Sequence, residues 1–375
     1  MSVKYYIVPR IAERLLGPKA LLKKRAKAES LRRKSGSAHI VEFFHDPADP
    51  YSQLLKQVLP ELAARYDIRI KTRYVSPPDD GAAPEPDALK AYSQIDAARL
   101  AKKAGIDFTF KPSPPAEQTS EGDARRKVLG YYLGGALYYG GEWYWGLDRL
   151  HYLEDRLMAL GLGVSESPIY TPPKVPEGTG KTTARIHWYL SFRSPYTGIV
   201  ASRVKALADA YGAELELRFV LPMIMRGLPV PKAKAQYIIK DTAREARRLG
   251  VPFGRVCDPV GAPVERGYSL LPWAIEQERG FEFTSSFLSN VWARGIDAGT
   301  DKGLRKITEE AGLDWTEAKS VLGNEDWRTE AEANRAEMMD LGIWGVPSFR
   351  INETITWGQD RLWVIEDALQ KLSKP

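Results

Sequence analysis

The 375-residue chain is long enough for two domains that each bury a core, and its 43% apolar and 27% charged residues are ordinary for a globular protein. Its single cysteine, Cys257, excludes an intramolecular disulfide and a Cys-x-x-Cys redox centre, and its four histidines lack the spacing of metal ligands. No apolar run approaches the roughly 20 residues that cross a bilayer, which argues against a transmembrane segment.

The net charge of +6 is concentrated at the N-terminus. Residues 1–38 carry eleven Lys or Arg and two Glu, a net charge of +9, so the rest of the chain is at −3. Apolar residues with helical spacing come first, namely Val8, Ile11, Leu15 and Leu16. A run rich in Lys and Arg follows. We interpret residues 1–38 as a basic helical arm that docks on the folded body, with contact to a membrane surface or RNA as the alternative.

Residues 39–163 are predicted to form a first α/β domain. Its predicted elements are a strand over 38–44, a helix over 51–66, a strand over 68–72, a loop over 77–81, a helix over 88–104, a loop over 111–122, a hairpin over 136–145 and a helix over 148–160. Gly140-Gly141 supplies the turn chemistry of the hairpin. Asp148 is expected to cap the last helix.

A Pro-rich linker is predicted over 164–183, followed by a second domain over 184–375. The second domain holds an insertion over about 223–342 that is helical almost throughout. Its predicted helices span 234–249, 263–280, 284–298, 301–311, 315–322 and 326–341. A closing hairpin over 346–357 and a last helix over 360–371 complete the domain.

The segment Ser191-Phe192-Arg193-Ser194-Pro195-Tyr196-Thr197 joins the first strand of the second domain to a helix. Ser194 stands where an N-cap belongs and Pro195 where the first helical residue belongs. Unpaired backbone N–H groups and the positive end of the helix dipole converge on the Ser194 hydroxyl, which favours an anion there. A helix cap without any function is the alternative interpretation.

Two parts of the sequence are repeated. Residues 41–77 align without a gap on residues 186–222, an offset of 145, and residues 145–150 match residues 357–362 as Trp-Gly-x-Asp-Arg-Leu, an offset of 212. The second copy therefore holds 67 more residues between its two ends, the difference of the two offsets. Two copies of one fold, with a larger insertion in the second, account for both matches.

These motifs resemble the DsbA-like branch of the thioredoxin superfamily, in which a helical domain is inserted into a thioredoxin core. The second domain is similar to kappa-class glutathione transferases and 2-hydroxychromene-2-carboxylate isomerases. The matching motifs are Ser194-Pro195-Tyr196, Gly345-Val346-Pro347, Trp357 to Leu362, Lys234-x-x-Tyr237 and Leu249 to Phe253. The resemblance implies an α/β fold of two tandem thioredoxin-like domains, each with a helical insertion that is larger in the second.

The resemblance also implies glutathione as the cofactor and a role for each matching residue. Ser194 would stabilise the glutathione thiolate, as a helix N-terminus lowers the pKa of a cysteine. Val346, before a cis-proline at Pro347, would pair its backbone with the cysteinyl backbone of glutathione. The remaining implied contacts are Pro195 and Tyr196 at the corner, Gln359 and Asp360 with the γ-glutamyl end, and Lys234 with the glycyl carboxylate. The family's Asn near Met225 is missing, and Arg226 is the candidate anion partner there.

The first copy keeps the cap and lacks the site residues. Asp49 occupies the position of Ser194, Gly135 that of Pro347 and Leu147 that of Gln359. A carboxylate at Asp49 would repel a thiolate, so we predict a non-catalytic, structural or docking domain. Cys257 is expected to be a bystander thiol in an insertion loop, away from the corner.

The leading hypothesis is a cytoplasmic glutathione-dependent isomerase or transferase that acts on a small electrophilic substrate, expected to be aromatic. The alternative is a non-catalytic tandem thioredoxin-like binding or scaffold protein. Dithiol–disulfide exchange is disfavoured because both thiols are absent. The expected partner is the small-molecule electrophile, with either a monomer that mimics a dimer by duplication or a homodimer. The sequence does not separate isomerase from transferase, nor identify the partner of the basic arm.

Overall fold

The computed structural model describes residues 3–79, 81–163 and 167–373, with the side chains of residues 3–6 left out. The chain forms two compact units. The N-terminal unit comprises residues 21–172 and 230–237, and the C-terminal unit comprises the described residues of 3–20, 173–229 and 238–373. The division after Pro172 falls inside the predicted linker, of which residues 164–166 lie outside the described residues, as does Asp80 of the predicted 77–81 loop.

The predicted arm forms two helices, α1 (Val3–Leu16) and α2 (Pro18–Lys34). Within the C-terminal unit, the Leu16 carbonyl at the end of α1 accepts a hydrogen bond from Arg247 Nη1 at 2.9 Å. Within the N-terminal unit, α2 is held by Arg25, whose guanidinium donates to both oxygens of Glu142 at 2.8 and 2.9 Å. Charged α2 side chains thus serve as contacts to the folded body.

The N-terminal unit is built on a four-stranded sheet in the order β2-β1-β3-β4. Strands β1 and β2 are parallel and the other neighbours are antiparallel. The strands are β1 (Ile40–His45), β2 (Arg69–Tyr74), β3 (Ala136–Tyr139) and β4 (Glu142–Trp145), and the helices are α3 (Pro50–Arg65), α4 (Pro86–Lys103), α5 (Ser120–Val128) and α6 (Leu150–Ala159). Side chains alternate along β1, so Val41 and Phe43 enter the core while Ile40 and Glu42 face the other side.

The C-terminal unit has a second four-stranded sheet in the order β6-β5-β7-β8. Its strands are β5 (Arg185–Leu190), β6 (Glu214–Phe219), β7 (Ser348–Ile351) and β8 (Thr354–Trp357). Helix α7 (Pro195–Tyr211) joins β5 to β6, and helix α14 (Leu362–Leu372) follows β8. Between β6 and β7 lie α8 (Lys232–Leu249), α9 (Ala262–Glu276), α10 (Gly280–Ala293), α11 (Asp301–Glu310), α12 (Trp315–Val321) and α13 (Trp327–Asp340).

The two sheets have the same strand order and the same register. Ile40 pairs with Arg69 in the first sheet, and Arg185 pairs with Glu214 in the second, which preserves the sequence offset of 145 on both strands. The closing hairpins also correspond, since Ala136 pairs with Trp145 and Ser348 with Trp357. The chain is therefore mixed α/β with two sheets of identical topology.

Two local predictions were wrong. Residues 111–122 were predicted as a loop, but α5 begins at Ser120. Acidic residues in its first turn and basic residues in its last turn favour a helix through the helix dipole, a signal outweighed by the Pro-rich composition upstream. Asp148 does not cap α6, because Leu147–Arg149 form a 3₁₀ turn and Arg149 stands at the cap position.

No helix in the described parts of the chain is long and apolar enough to cross a membrane.

Candidate active site

The strand-to-helix corner of the C-terminal unit has the predicted geometry. Ser194 is the N-cap of α7 with extended backbone angles (φ −91°, ψ 114°), and Pro195 is the first helical residue. The Ser194 hydroxyl oxygen accepts a hydrogen bond from the Thr197 N–H at 3.2 Å. Because α7 is 17 residues long, its N-terminal N–H groups and dipole give this corner a positive local potential.

The loop before β7 lies against this corner. The peptide between Val346 and Pro347 is cis, as predicted from the sequence. The Ser194 hydroxyl donates a long hydrogen bond of 3.3 Å to the Val346 carbonyl. The Pro347 carbonyl accepts from the Gly358 N–H at 2.9 Å, which fixes the loop to the start of the Trp-Gly-Gln-Asp segment. Within the part of the chain that the structure describes, the Val346 N–H has no hydrogen-bond partner.

Tyr196 extends the corner into a polar cluster on α8. Its hydroxyl donates to Asp241 Oδ2 at 2.8 Å, and Asp241 also accepts from Arg244 at 2.5 Å. Asp241 is only 2% exposed, so its charge depends on these partners. On the other side of Ser194, the Arg193 guanidinium forms a bidentate pair with Asp258 at 2.9 and 2.8 Å.

Gln359 is buried, and its amide is bound by protein groups. Its side-chain oxygen accepts from Arg203 Nη1 at 2.8 Å, and its nitrogen donates to Glu245 Oε2 at 2.8 Å. Burial, followed by the charge of Arg248, lowers the pKa of Arg203 to about 10. Asp360 is less buried, and its carboxylate lies 3.6 Å from the Arg361 guanidinium. The Trp-Gly-Gln-Asp segment is thus anchored by Gln359.

Lys234 belongs to the N-terminal unit, although α8 continues into the other unit. Its amine donates to the Ala82 carbonyl at 2.8 Å, and burial lowers its pKa. Tyr237, of the same sequence motif, packs edge-on against Tyr131 with ring centroids 5.0 Å apart. The role of Lys234 with a carboxylate stays a prediction.

Cys257 is 8% exposed, and its neighbour Asp258 pairs with Arg193. The insertion loop therefore reaches the corner through Asp258, and the expectation that it lies away from the corner was wrong. Burial, and then the charge of Asp297, raises the pKa of the Cys257 thiol to about 11. At neutral pH this thiol is protonated and a poor nucleophile.

In the corresponding corner of the N-terminal unit, the loop at Gly135 lies against an acidic helix cap. Asp49 caps α3 and accepts from the Tyr51 and Ser52 N–H groups at 3.2 and 3.0 Å. Gly135 has a φ of +62°, and a Cβ atom on it would lie 3.0 Å from Asp49 Oδ2. Burial, followed by the charge of Asp46, raises the pKa of Asp49 to about 7.

The contacts of the corner with distant residues are not predictable from the sequence. Tyr196 and Asp241 lie 45 residues apart, and Gln359 and Glu245 lie 114 apart. One signal was present, because Asp241 and Glu245 each precede an arginine by three residues on one helix. That spacing predicts paired charges on α8, but not which other element they meet. In the described parts of the chain, no group of three or more His, Cys, Asp or Glu side chains could hold a metal ion.

Comparison with known proteins relates this unit to a defined family. Residues 185–370 match the family model described as the DSBA-like thioredoxin domain. The chain is similar to the 2-hydroxychromene-2-carboxylate isomerase of Sphingobium xenophagum, with 25% identity over 195 residues that cover 50% of this chain and 98% of that protein. It is also similar to the enzyme of the same name from Pseudomonas putida, with 20% identity over 197 residues that cover 50% of this chain and 96% of the relative.

Among solved structures, one of a 2-hydroxychromene-2-carboxylate isomerase matches with 21% identity and a TM-score of 0.44, covering 50% of this chain and 95% of the other. Residues 185–370 of this chain form a DsbA-like thioredoxin domain.

Proposed function

We propose that the C-terminal unit is a glutathione-dependent isomerase or transferase for a small electrophilic, aromatic substrate. The observation that carries the proposal is the placement of the Ser194 hydroxyl at the N-terminus of α7, against the Val346 carbonyl and the cis peptide before Pro347. This arrangement offers a thiolate an O–H donor and a positive helix end together. It also offers a peptide carbonyl the Val346 N–H in the loop before β7, which no described residue bonds.

The residues at the corner fit the cysteinyl part of glutathione. The Ser194 hydroxyl now donates to Val346 at 3.3 Å, which is long for an O–H···O bond, so turning this donor to a thiolate gives up little. The Val346 N–H has no partner from the described residues and is available to a peptide carbonyl. When bound, glutathione supplies a nucleophilic thiolate.

Each corner residue then has a distinct task. Ser194 holds the sulfur in its anionic form by donating a hydrogen bond, and Thr197 keeps the hydroxyl in place through its N–H. Val346 aligns the cysteinyl backbone, while Pro347 and Pro195 shape the two sides of the corner. Tyr196 forms one side of the proposed glutathione site, and the hydrogen bond from its hydroxyl to Asp241 holds the ring in position.

The two ends of glutathione are assigned less directly. Asp360 is proposed to meet the γ-glutamyl ammonium, with Gln359 holding the segment in position through Arg203 and Glu245. The role of Lys234 with the glycyl carboxylate stays a prediction from the sequence motif, because Lys234 belongs to the N-terminal unit and its amine donates to the Ala82 carbonyl. These two assignments rest on the sequence motif.

The substrate class is proposed from the relatives. Proteins named 2-hydroxychromene-2-carboxylate isomerase are matched over 96–98% of their length by half of this chain. An isomerase would return glutathione after each turnover, whereas a transferase would keep it on the product. We take 2-hydroxychromene-2-carboxylate as the first substrate to test. The proposed use of reduced glutathione also implies a cytoplasmic setting.

Calorimetric titration of glutathione into the wild type and Ser194→Ala tests the proposal. The wild type should bind in the micromolar to low millimolar range and release a proton that depends on Ser194. Ser194→Thr, which keeps the hydroxyl, is the matched control and should retain the proton release. Equal proton release from wild type and Ser194→Ala would refute the role of Ser194.

A binding protein without turnover is the second candidate. It is favoured by the occupied state of Gln359 and Lys234, both of which already bond to protein groups. In that case neither heat nor proton release accompanies the titration. We further propose that the N-terminal unit is a second, non-catalytic thioredoxin-like copy, in keeping with the shared strand order and register.

A further inference from the structure

A cavity of about 300 Å³ opens on the N-terminal unit, on the face of its sheet that points away from the core. Strands β1 and β2 form its floor, and α2 of the basic arm forms one wall. Five basic side chains line it, namely Arg32, Lys71, Arg73, Arg125 and Arg156, against two acidic ones, Glu29 and Glu42. We propose that this cavity binds a small organic phosphate.

The guanidinium groups around the cavity are held in fixed positions. Glu42 accepts from Arg125 at 2.7 Å and also pairs with Arg73. Glu29 accepts from Arg32 at 2.7 and 2.9 Å. These pairs orient the cations before any ligand arrives, so less conformational entropy is lost on binding.

Lys71 supplies charge that no described carboxylate neutralises. It stands beside Glu42 in the strand register, but the Glu42 oxygens are bonded to Arg73 and Arg125. Among the residues that the structure describes, none forms an ion pair or hydrogen bond with the Lys71 side chain. The lining holds five basic and two acidic side chains. Arg156 is balanced from outside the lining by Glu142 at 2.9 Å, and Arg73 also pairs with Glu121, so Lys71 carries the positive charge that no described carboxylate balances. A bound anion would offset that charge.

The same sheet face of the C-terminal unit shows that this charge excess is not required by the fold. At the position of Lys71 it has Glu216, which pairs with Arg218 at 2.7 Å and with Arg185 at 3.1 Å. Arg350 is likewise paired there, with Glu337 at 3.0 Å. The counterpart of Lys71 is therefore a paired carboxylate, whereas Lys71 itself has no ion-pair partner among the described residues.

The ligand class follows from charge and shape. Guanidinium forks match phosphate geometry, and several cations around one cavity, with Lys71 lacking a described carboxylate partner, favour a dianion over a monocarboxylate. Ala38, Ile40 and the ring of Tyr139 give the cavity an apolar side that suits an organic group. A volume of about 300 Å³ is at the small end of ligand sites, which points to a compact phosphate monoester.

Titration of the full-length protein with phenyl phosphate at pH 7.5 and low ionic strength tests the proposal. Wild type should bind with a Kd of about 1 mM or tighter, and benzoate should bind about tenfold more weakly. Lys71→Glu, which installs the residue of the other unit, should weaken phenyl phosphate binding by about tenfold or more. Lys90→Glu makes the same charge change on α4, outside the cavity, and should leave the affinity within about twofold.

Three results would overturn the proposal. They are no binding of phenyl phosphate up to about 10 mM, equal losses in Lys71→Glu and Lys90→Glu, and equal affinity for benzoate. Lys71→Ala and an unfolding curve for each variant separate loss of the site from loss of the fold. Because Lys71 is exposed on β2, both of its variants should fold.

Discussion

Each unit turns from its first strand into a helix that begins with proline, but Ser194 precedes that proline in one unit and Asp49 in the other. Both side chains cap the helix, and in both corners the opposite loop is fixed by the same backbone bond, from Gly358 to Pro347 and from Gly146 to Gly135. The framework is therefore common to the two corners. The cap and the loop residue that meets it differ.

These two differences change what each corner can hold. The cap Ser194 is a neutral donor, and the loop beside it carries the Val346 N–H, which no described residue bonds, so an anion and a peptide carbonyl both fit. Asp49 is a carboxyl, and Gly135 brings the loop against it, leaving no room for a Cβ atom without close contact. One local framework thus supports an anion site in one unit and a closed, acidic cap in the other.

The largest effect is expected when the acidic cap is transplanted. Ser194→Asp keeps an N-cap but places a negative charge where the thiolate would sit, so glutathione-dependent isomerisation should fall by about 1000-fold, equivalent to about 4 kcal/mol. Initial rates with 2-hydroxychromene-2-carboxylate measure this at pH 7.5. Ser194→Thr should stay within about tenfold of wild type. A Ser194→Asp enzyme that keeps wild-type rates would show that charge at the cap is irrelevant.

A second expected effect concerns a Tyr–Glu hydrogen bond that is present once in each unit. Glu366 accepts from the Tyr211 hydroxyl at 3.2 Å and from the backbone N–H groups of residues 177 and 178 at 2.7 and 2.8 Å. Glu154 accepts from Tyr66 at 3.3 Å and from one backbone N–H, that of Ile169. Glu366→Ala leaves one buried hydroxyl and two part-buried backbone N–H groups without this acceptor, whereas Glu154→Ala leaves one buried hydroxyl and one part-buried N–H.

Urea unfolding measures the difference between these pairs. Glu366→Ala should lower the free energy of unfolding by about 4 kcal/mol and Glu154→Ala by about 2 kcal/mol. Glu366→Gln keeps an acceptor and should lose only about 1 kcal/mol. If Glu154→Ala proves the more damaging change, the count of backbone donors does not control the stability of these pairs.

The sequence predicted the corner well because its rules are local. Ser194, Pro195 and the cis peptide before Pro347 follow from cap chemistry and family motifs within a few residues. Residues that depend on distant partners were not predictable in the same way. The burial of Gln359 comes from Arg203 and Glu245, which no spacing in the sequence places beside it.

The same reasoning applies to the contact of Lys234 and to helix α5. Lys234 continues the helical pattern of α8, and nothing in that pattern shows that its amine bonds to the Ala82 carbonyl in the N-terminal unit. Helix α5 was missed because its nine residues follow a Pro-rich segment that dominated the local composition. The contact of Lys234 depends on tertiary structure. The short charge pattern of α5 is weaker than the compositional signal of the Pro-rich segment before it.

The acidic cap should also give the N-terminal unit a distinct pH dependence. The pKa of Asp49 is about 7 in the folded state against an ordinary value of 3.8. Its contribution to stability is therefore complete below pH 3.8 and is lost as the pH rises through about 7. Asp49→Asn keeps a good N-cap and removes the titration. Its free energy of unfolding relative to wild type should therefore rise by about 2 kcal/mol from pH 5 to pH 8.

Urea unfolding at pH 5 and pH 8, monitored with a probe in the N-terminal unit, measures this gain in stability. Glu154 titrates in the same range, since burial raises its pKa to about 7, so the comparison is best made in a Glu154→Gln background. Ser194→Asn is the matched control at the other cap and should change stability equally at the two pH values. Identical pH profiles for Asp49→Asn and its parent would show that the carboxyl does not titrate there.

The smallest effect is expected at Cys257, although its loop reaches the Ser194 corner through Asp258 and Arg193. Its thiol has a pKa of about 11 and is 8% exposed, so it is protonated and shielded at pH 7.5. Alkylation by iodoacetamide should be about 100-fold slower than that of free glutathione. Cys257→Ala should leave turnover within about twofold of wild type, because the thiol that reacts is supplied by glutathione. A Cys257→Ala enzyme without activity would instead place the reactive sulfur in the protein, and Ser194 would then serve only as the helix cap that Asp49 provides in the other unit.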